Sequence, residues 1–182
     1  MRLILIQVVL AMLSAAWFLI VFEIKSHCLF YKVSFLPDYI IIILFLDVTL
    51  VLLLAGLTYM ATKLFTYLEI DTIKNCKECT LADNEFLPSY LGYFFIALSI
   101  NDENLLAVIE LYALLASGIF LSKSQYFNPL FLVMGYHFYY VVVEKNTKLF
   151  LIIKGDVIKD SSEIRFEHLR RINDTTFITK ER

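Results

Sequence analysis

A 20-residue stretch from Leu3 to Phe22 contains no charged side chain and constrains this chain more than any other feature. As a helix it would be about 30 Å long, which matches the hydrocarbon core of a bilayer. A secretory signal peptide is the competing interpretation, because Arg2 precedes the stretch. The stretch is longer than the ~7–15 apolar residues of a signal core, and the chain stays strongly apolar after it. We therefore predict a retained transmembrane helix.

Three further apolar runs follow. The chain as a whole is 59% hydrophobic and only 19% charged. The last two runs would be only about 22 and 26 Å long as helices, so a soluble αα-hairpin is an alternative for that pair. The sequence predicts an all-α membrane protein whose four transmembrane helices form a bundle within residues 1–121. The expected spans are about 3–22, 39–61, 86–100 and 105–121.

Residues 122–182 differ from the helical part and predict a small cytoplasmic tail that contains β-structure. Tyr136–Val143 is aromatic and β-branched, and Lys148–Ile153 reads as the returning strand of a hairpin. Glu163–Ile172 fits either a short helix or a strand, and Thr175–Thr179 is a candidate last strand. A two-stranded hairpin is marginal alone, so we expect the tail to pack on the bundle, the membrane or sister chains.

The distribution of Lys and Arg predicts the orientation. Ten of them follow Leu121, whereas the turn Asn101–Asn104 has none. Because basic residues favour the cytoplasmic side, the tail should face the cytoplasm and the turn should face outward. The expected location is the inner (cell) membrane, multi-pass, with both termini cytoplasmic. Ser26–Pro37 would then lie outside and Thr62–Glu85 inside.

Two carboxyl groups interrupt the predicted spans. Asp47 lies near the middle of the second span and Glu110 lies in the fourth. An ionisable group at that depth costs about 2.5–3.5 kcal/mol on insertion scales, so a functional role is the first interpretation. Glu110 and Ser117 share a stripe of small and polar residues, which favours helix packing or contact between subunits. A transport path through the two carboxyl groups is the alternative.

No pattern in the sequence supports an active site, so we expect no enzymatic activity, catalytic residue, metal or cofactor. Cys76 and Cys79 form a lone pair, whereas a structural zinc ion needs four ligands. Two free thiols are the simpler interpretation. The small net charge of −2 gives no reason to expect direct nucleic-acid binding.

The tail carries aromatic and Arg residues, which are the types that anchor protein interfaces. We predict that they dock a soluble partner, although a solvated face near anionic lipid headgroups is also consistent with the arginines. The candidate docking residues are Tyr136, Phe138, Tyr139, Tyr140, Arg165, Arg170 and Arg171.

Two segments resemble a known family. They are Asn128-Pro129-Leu130 with Gly135-Tyr136-His137-Phe138-Tyr139, and Arg171-Ile172-Asn173-Asp174 leading into Thr176-Phe177. Together with the expected topology, they are similar to the KwaA family, the membrane subunit of the bacterial Kiwa anti-phage defence system. The resemblance covers about 50 residues.

The resemblance implies a non-enzymatic sensor or scaffold in the bacterial inner membrane. It implies a homo-oligomer, with a tetramer as one candidate, in contact with membrane lipid. The implied partner is a soluble effector similar to KwaB that acts on phage DNA and is recruited on the cytoplasmic side. A small transport-related membrane protein is the alternative function.

Overall fold

The structure is a computed structural model that describes residues 2–31, 37–73, 76–85, 87–100, 105–122, 126–143, 147–158 and 166–179. Within these ranges the side chains of 27–31, 37–42 and Glu167 are not described. The helices are α1 (Arg2–Tyr31), α2 (Pro37–Leu64), α3 (Leu87–Ser99), α4 (Leu105–Leu121) and α5 (Pro129–Val133). The strands are β1 (Ile70–Ile73), β2 (Cys76–Leu81), β3 (Tyr136–Val143), β4 (Lys148–Lys154), β5 (Phe166–Arg171) and β6 (Thr176–Thr179).

Two of the described helices are long and apolar enough to cross a membrane, judged by length and composition. The candidate spans are Arg2–Ser26 and Ile43–Tyr67. Nearly half of the first is buried inside the protein, whereas the second is almost entirely exposed. Helices α3 and α4 have only 13 and 17 residues, or about 20 and 26 Å, which is shorter than a typical hydrocarbon core.

Helix α1 is the centre of the helical layer, because α2, α3 and α4 each pack against it. Its second half meets α3 and α4 through Phe18, Phe22, Ala97 and Val108. Its first half extends beyond this cluster to the strands. There the Gln7 side chain donates a 2.6 Å hydrogen bond from Nε2 to the backbone carbonyl of Ile172. One helix therefore joins the two layers of the fold.

The strands form one sheet in the order β1-β5-β6-β4-β3-β2. Neighbouring strands are antiparallel except β4 and β6, which are parallel. Strands β3 and β4 pair from Tyr136–Lys154 to Val142–Lys148, in the segment where the sequence predicts a hairpin. A register irregularity lies in β1–β5, and His168 there has a positive φ of 59°.

The sheet must curl into a barrel. Strands β1 and β2 lie at its two edges, although only residues 74 and 75 separate them in the chain. Three residue steps span at most about 11 Å, so the two edges meet there. If β1 and β2 are counted as one bent strand, the barrel has five strands and a single parallel pair between the third and the fifth. That connectivity is the one found in OB-fold barrels.

The barrel buries both faces of its central strands, which explains their nearly continuous apolar sequence. In β4, Leu149, Leu151 and Ile153 belong to the inner cluster, which also contains Tyr139 and Leu169. The alternate residues of β4 face a second cluster that joins the barrel to the helices. Its members include Ile6, Leu10, Phe65, Phe131, Phe138, Phe150 and Ile152. The helical layer and the barrel therefore share one apolar interface.

The predicted all-α four-helix bundle is wrong. The fold is mixed α and β, with a six-stranded sheet and only two helices that pass as candidate spans. Strands β1 and β2 come from the segment between α2 and α3, for which the sequence predicts only a connection between two spans. Those strands form because β1 finds a partner in β5 and β2 finds one in β3. These pairings join segments that are distant in sequence. They supply hydrogen-bond partners for the backbone N–H and C=O groups of β1 and β2.

Candidate functional site

The side chain of Asn128 holds three parts of the protein together where the helical layer meets the barrel. Its Oδ1 accepts hydrogen bonds from Trp17 Nε1 in α1 and from the backbone N–H of Leu130, both at 3.0 Å. Its Nδ2 donates to Thr58 Oγ1 in α2 at 3.2 Å. Asn128 is only 1% exposed, so these bonds form away from water. We call Trp17, Thr58 and Asn128 the junction.

Local sequence explains why Asn128 stands at this position. An Asn side chain that accepts from the N–H two residues later is a typical helix N-cap. Pro129 at the first position of α5 suits this start, because its missing N–H would be unpaired there in any case. The short helix that follows presents Leu130 and Phe131 to the shared core.

A second contact brings α3 to the same place. The hydroxyl of Tyr90 donates a 3.1 Å hydrogen bond to the backbone carbonyl of Phe127. The Tyr90 ring also lies edge-on to Trp17, with 5.9 Å between ring centroids. Phe127 in turn packs edge-on against Phe138 and Phe150 of the barrel. Through residues 127–128, three helices thus contact the segment that leads into β3.

An Asp–His pair lies on the barrel side of this region. Asp83 Oδ2 is 2.7 Å from His137 Nδ1, and its Oδ1 accepts from the backbone N–H of Phe138 at 2.7 Å. The backbone N–H of Ala82 donates to the Phe138 carbonyl. Together with the Asp83 contacts, this bond continues the β2–β3 pairing just beyond the end of β2. This arrangement holds the segment between β2 and α3 against β3. No third group that completes a catalytic arrangement appears among the described contacts.

A cleft of about 330 Å³ opens where α3 and α4 pack on α1. Ser14 in α1 lines it, and its buried hydroxyl has no hydrogen-bond partner in the structure. Other polar lining residues are Glu85, Ser89, Tyr93 and Ser122. The cleft is therefore a polar recess in an otherwise apolar layer.

The structure places the predicted intramembrane residues on separate helices. Asp47 is half-buried in α2, whereas Glu110 and Ser117 are exposed on α4. The Ser117 hydroxyl donates to the Leu114 carbonyl of its own helix. Because α2 and α4 each pack against α1, the fold does not bring the two carboxyl groups into one described cluster. A role for Glu110 in contacts between subunits stays a prediction.

The predicted docking residues are divided between the core and the surface. Tyr136, Phe138 and Tyr139 are buried, and Tyr140 is half-buried. Arg165 lies outside the described residues, and Arg171 is exposed. Arg170 donates from Nη1 to the carbonyls of Thr66 and Leu68 at 3.1 and 2.7 Å. Its guanidinium therefore fastens β5 to the turn after α2, so a docking role would compete with this internal one.

Cys76 and Cys79 both lie on β2 and are free and half-buried. Burial raises the pKa of each thiol, and for Cys79 burial together with the neighbouring Cys76 raises the pKa to about 11. Among the described residues, no three His, Cys, Asp or Glu side chains gather as a metal site would require.

We expect Cys79 to react slowly with thiol reagents at neutral pH. Only the thiolate is nucleophilic, and a pKa of about 11 instead of 9.0 leaves roughly 100-fold less thiolate at pH 7. Alkylation of the wild-type chain by iodoacetamide, followed by tryptic digestion and mass spectrometry from pH 7 to 10, measures this, because cleavage after Lys77 separates Cys79 from Cys76. The rate should rise about tenfold per pH unit across that range. A rate equal to that of a model cysteine peptide at pH 7 would contradict the expectation.

Sequence reasoning missed the roles of three polar side chains that organise this region: Asn128, Asp83 and His137. Asn128 is noted in the sequence as part of Asn-Pro, and the Asn-Pro-Leu spacing before a short apolar run is a detectable N-cap signal. Its bonds to Trp17 and Thr58 are beyond the reach of spacing, because 111 and 70 residues separate the partners. Asp83 and His137 are likewise 54 residues apart.

A family model described as the anti-phage protein KwaA matches residues 1–178, nearly the whole chain. No curated protein matches the chain, and neither does any solved structure. The resemblance based on the segments around Asn128 and Asn173 is thereby confirmed over far more of the chain than those segments cover. The role of this protein therefore lies in antiviral defence, and the chain belongs to the KwaA family of anti-phage proteins.

Proposed function

We propose that this protein is a non-enzymatic, membrane-anchored subunit of an anti-phage defence system that recruits a soluble effector through its barrel. The family match carries the proposal, because it spans both the apolar helices and the barrel. One chain thus combines two apolar helices that are long enough to span a membrane with a folded barrel. The expected effector is a soluble protein similar to KwaB, and the expected assembly is a homo-oligomer in contact with lipid.

The distribution of apolar surface supports the membrane position. Many large side chains on α2 are at least half exposed, including Phe45, Leu52, Leu53 and Met60. A soluble monomer rarely shows a contiguous apolar patch of such length. A bilayer or sister chains would cover it, and α1 and α2 are long enough to span.

The path between the layers supports a role in sensing. The junction links α1 and α2 to the chain entering β3, and Gln7 links the start of α1 to the chain entering β6. A shift of α1 would therefore act on two sides of the barrel, and a shift of α2 would act on one of them through Thr58. Such a shift works as a switch only if the helices have two discrete arrangements. In this proposal the helices respond to the stimulus, and the barrel passes the change on to the effector.

Exposed charged side chains on β2 and β4, the two strands on either side of β3, offer a docking surface that is separate from the core. Lys77 and Glu78 lie on β2, and Lys148 at the start of β4 is the cross-strand neighbour of Val142. Glu78 pairs with the same Val142 from the other side. These residues form the surface that we test for effector recruitment.

We expect the double variant Lys77→Glu, Lys148→Glu to reduce recovery of the effector about tenfold or more in co-purification from membranes. Charge reversal at an interface combines lost attraction with new repulsion. The matched control is Lys25→Glu, since Lys25 lies at the other end of α1, where its ammonium donates to the Ile100 carbonyl. All variants are compared at equal amounts of carbonate-resistant membrane protein.

Undiminished recovery with the double variant would remove this surface from the docking proposal. Loss of the wild-type chain from the carbonate-resistant fraction would contradict the membrane anchor itself. An equal loss of effector with Lys25→Glu would show that charge alone, and not this surface, governs the result.

A further inference from the structure

Helices α3 and α4 each present one side to α1 and leave the other side exposed. We call the two exposed sides together the short face. It is strongly apolar, and six of its large apolar side chains are more than half exposed: Leu91, Phe95, Leu105, Leu106, Ile109 and Leu114. A soluble monomer rarely leaves an apolar patch of this extent uncovered, so the short face needs an apolar partner.

Polar groups mark both ends of the short face. At the end near the barrel, Ser14, Glu85 and Ser122 line the polar cleft. At the other end, the Lys25 ammonium donates to the backbone carbonyl of Ile100, directly after α3. Ser14 and Lys25 are eleven residues apart on α1, which is about 17 Å. Helix α3 itself is about 20 Å long, so the apolar depth here is well below the roughly 30 Å of an ordinary hydrocarbon core.

An exposed carboxyl group on the short face supports the same boundary. Glu110 is exposed on α4, five residues after Leu105, or about 8 Å along the helix axis. A core of about 30 Å would extend past this end and place Glu110 deep among the lipid chains, where a charged group is costly. A core that ends near Lys25 and Ile100 leaves the Glu110 carboxyl group close to the headgroups, which a side chain near a helix end can reach.

Helix α2 provides a longer apolar face within the same chain. Its exposed large apolar side chains extend from Leu44 to Met60, which is about 24 Å along the axis. The one carboxyl group within this run, Asp47, is half-buried, whereas Glu110 on α4 is exposed. The face of α2 therefore fits a thicker hydrocarbon core than the short face does.

We propose that the short face contacts a phospholipid bilayer whose hydrocarbon core is locally thinner than about 30 Å, with Glu110 near its outer boundary. This inference rests on the proposed membrane position and adds the kind of bilayer that the protein fits. A bilayer accommodates an apolar surface that is too short for it by thinning around that surface. The bilayer is therefore thinner beside α3 and α4 than beside α2, and phospholipids with short acyl chains are favoured there.

The local lipid preference is measured on the full-length protein in vesicles that mix phosphatidylcholines with 14-carbon and 22-carbon acyl chains. Leu106→Trp places a reporter on the short face, and Leu52→Trp places one on α2. The two positions are matched, since each leucine is 66% exposed. Both variants are made in a Trp17→Phe background, so that each protein has a single tryptophan. Quenching by the brominated form of either lipid gives the relative affinity of the two chain lengths at that position.

We expect the 14-carbon lipid to be preferred about threefold or more with Leu106→Trp and less than about 1.5-fold with Leu52→Trp. Equal preference at the two positions would overturn the proposal. Quenching with Leu52→Trp alone would overturn it too, because protein would then cover the short face. No quenching at either position would contradict the membrane position itself. Circular dichroism shows whether each variant keeps its fold, and Leu114→Trp, where the leucine is also 66% exposed, serves if Leu106→Trp does not.

A second variant tests the boundary at Glu110. Glu110→Gln, combined with the short-face reporter, should reduce the preference for the 14-carbon lipid by about half or more, because an uncharged amide costs less inside a long-chain core. Glu78→Gln is the matched control, since Glu78 is exposed on β2 of the barrel, and it should leave the preference unchanged. An unchanged preference in folded Glu110→Gln, or an equal change in Glu78→Gln, would contradict the assigned boundary and overturn the proposal.

Discussion

The Asn128→Ala variant should lose about 2–4 kcal/mol of unfolding free energy. The substitution removes the N-cap that accepts from the backbone N–H of Leu130, which contributes about 1 kcal/mol. It also leaves the Trp17 Nε1 donor without its acceptor, at about 1–3 kcal/mol. Unfolding of the detergent-solubilised protein by denaturant titration, followed by tryptophan fluorescence, measures the loss directly, because Trp17 is the single tryptophan of the chain.

Two further variants make this result specific. Trp17→Phe removes one of the hydrogen bonds and should cost about 1–2 kcal/mol, and a double-mutant cycle with Asn128→Ala should show coupling between the two. Circular dichroism replaces fluorescence as the readout in that background. Ser117→Ala is the control, since its hydroxyl bonds within α4 and is exposed; it should stay within about 0.5 kcal/mol of the wild type. A similarly small effect for Asn128→Ala would show that the junction does not stabilise the fold.

Removal of residues 155–182 should open the barrel while leaving the long helices inserted. The deletion takes away β5 and β6, so β1 loses its partner and β4 gains an unpaired edge. Helices α1 and α2 satisfy their backbone hydrogen bonds internally, so they can stay helical although the deletion uncovers part of the apolar surface that they share with the barrel. We expect trypsin to cut at Lys77 and Lys148 roughly 100-fold faster than in the full chain, which corresponds to about 3 kcal/mol of lost protection.

Removal of residues 180–182 alone is the matched control, because it leaves every described strand intact. Its cleavage rate should equal that of the full chain. The longer deletion should also abolish effector recruitment, but through loss of the barrel rather than loss of one surface. Protection of Lys148 in the longer deletion would contradict the closed barrel.

The helices could be predicted from the sequence because their signal is local. Apolar runs predicted α2, α3 and α4 to within about three residues, whereas α1 continues from the predicted end at Phe22 to Tyr31. Aromatic and β-branched residues indicated β3, and the segment returning after the turn indicated β4. Strands β1 and β2 left no such signal. The segment around Cys76 and Cys79 is polar and short, and its strand character comes from pairing with β3. The predicted fold class failed at this segment, since a sheet is defined by partners that are distant in sequence.

In the candidate site, too, the local features could be predicted from the sequence and the long-range contacts could not. The segments that carry the family resemblance contain Asn128 and Asn173, whose local roles as an N-cap and a turn acceptor are visible in sequence. Gly135 belongs to them too, and its φ of 77° is one that residues with a Cβ rarely adopt. The contacts that these segments make with residues distant in sequence were not predictable. Neither the bond from Trp17 to Asn128 nor the bond from Gln7 to Ile172, next to Asn173, follows from spacing.

The barrel's first strand has a consequence for how the protein is made. Strand β1 leaves the ribosome well before its partner β5, with α3, α4 and the β3–β4 hairpin synthesised between them. During that interval β1 has an unpaired edge, which is a hazard for wrong pairing with other chains. Helices α1 to α4 are all synthesised while the barrel is still open. The barrel can close only after β5 and β6 have been made, so a chain that stops before them leaves β1 and one edge of β4 without partners.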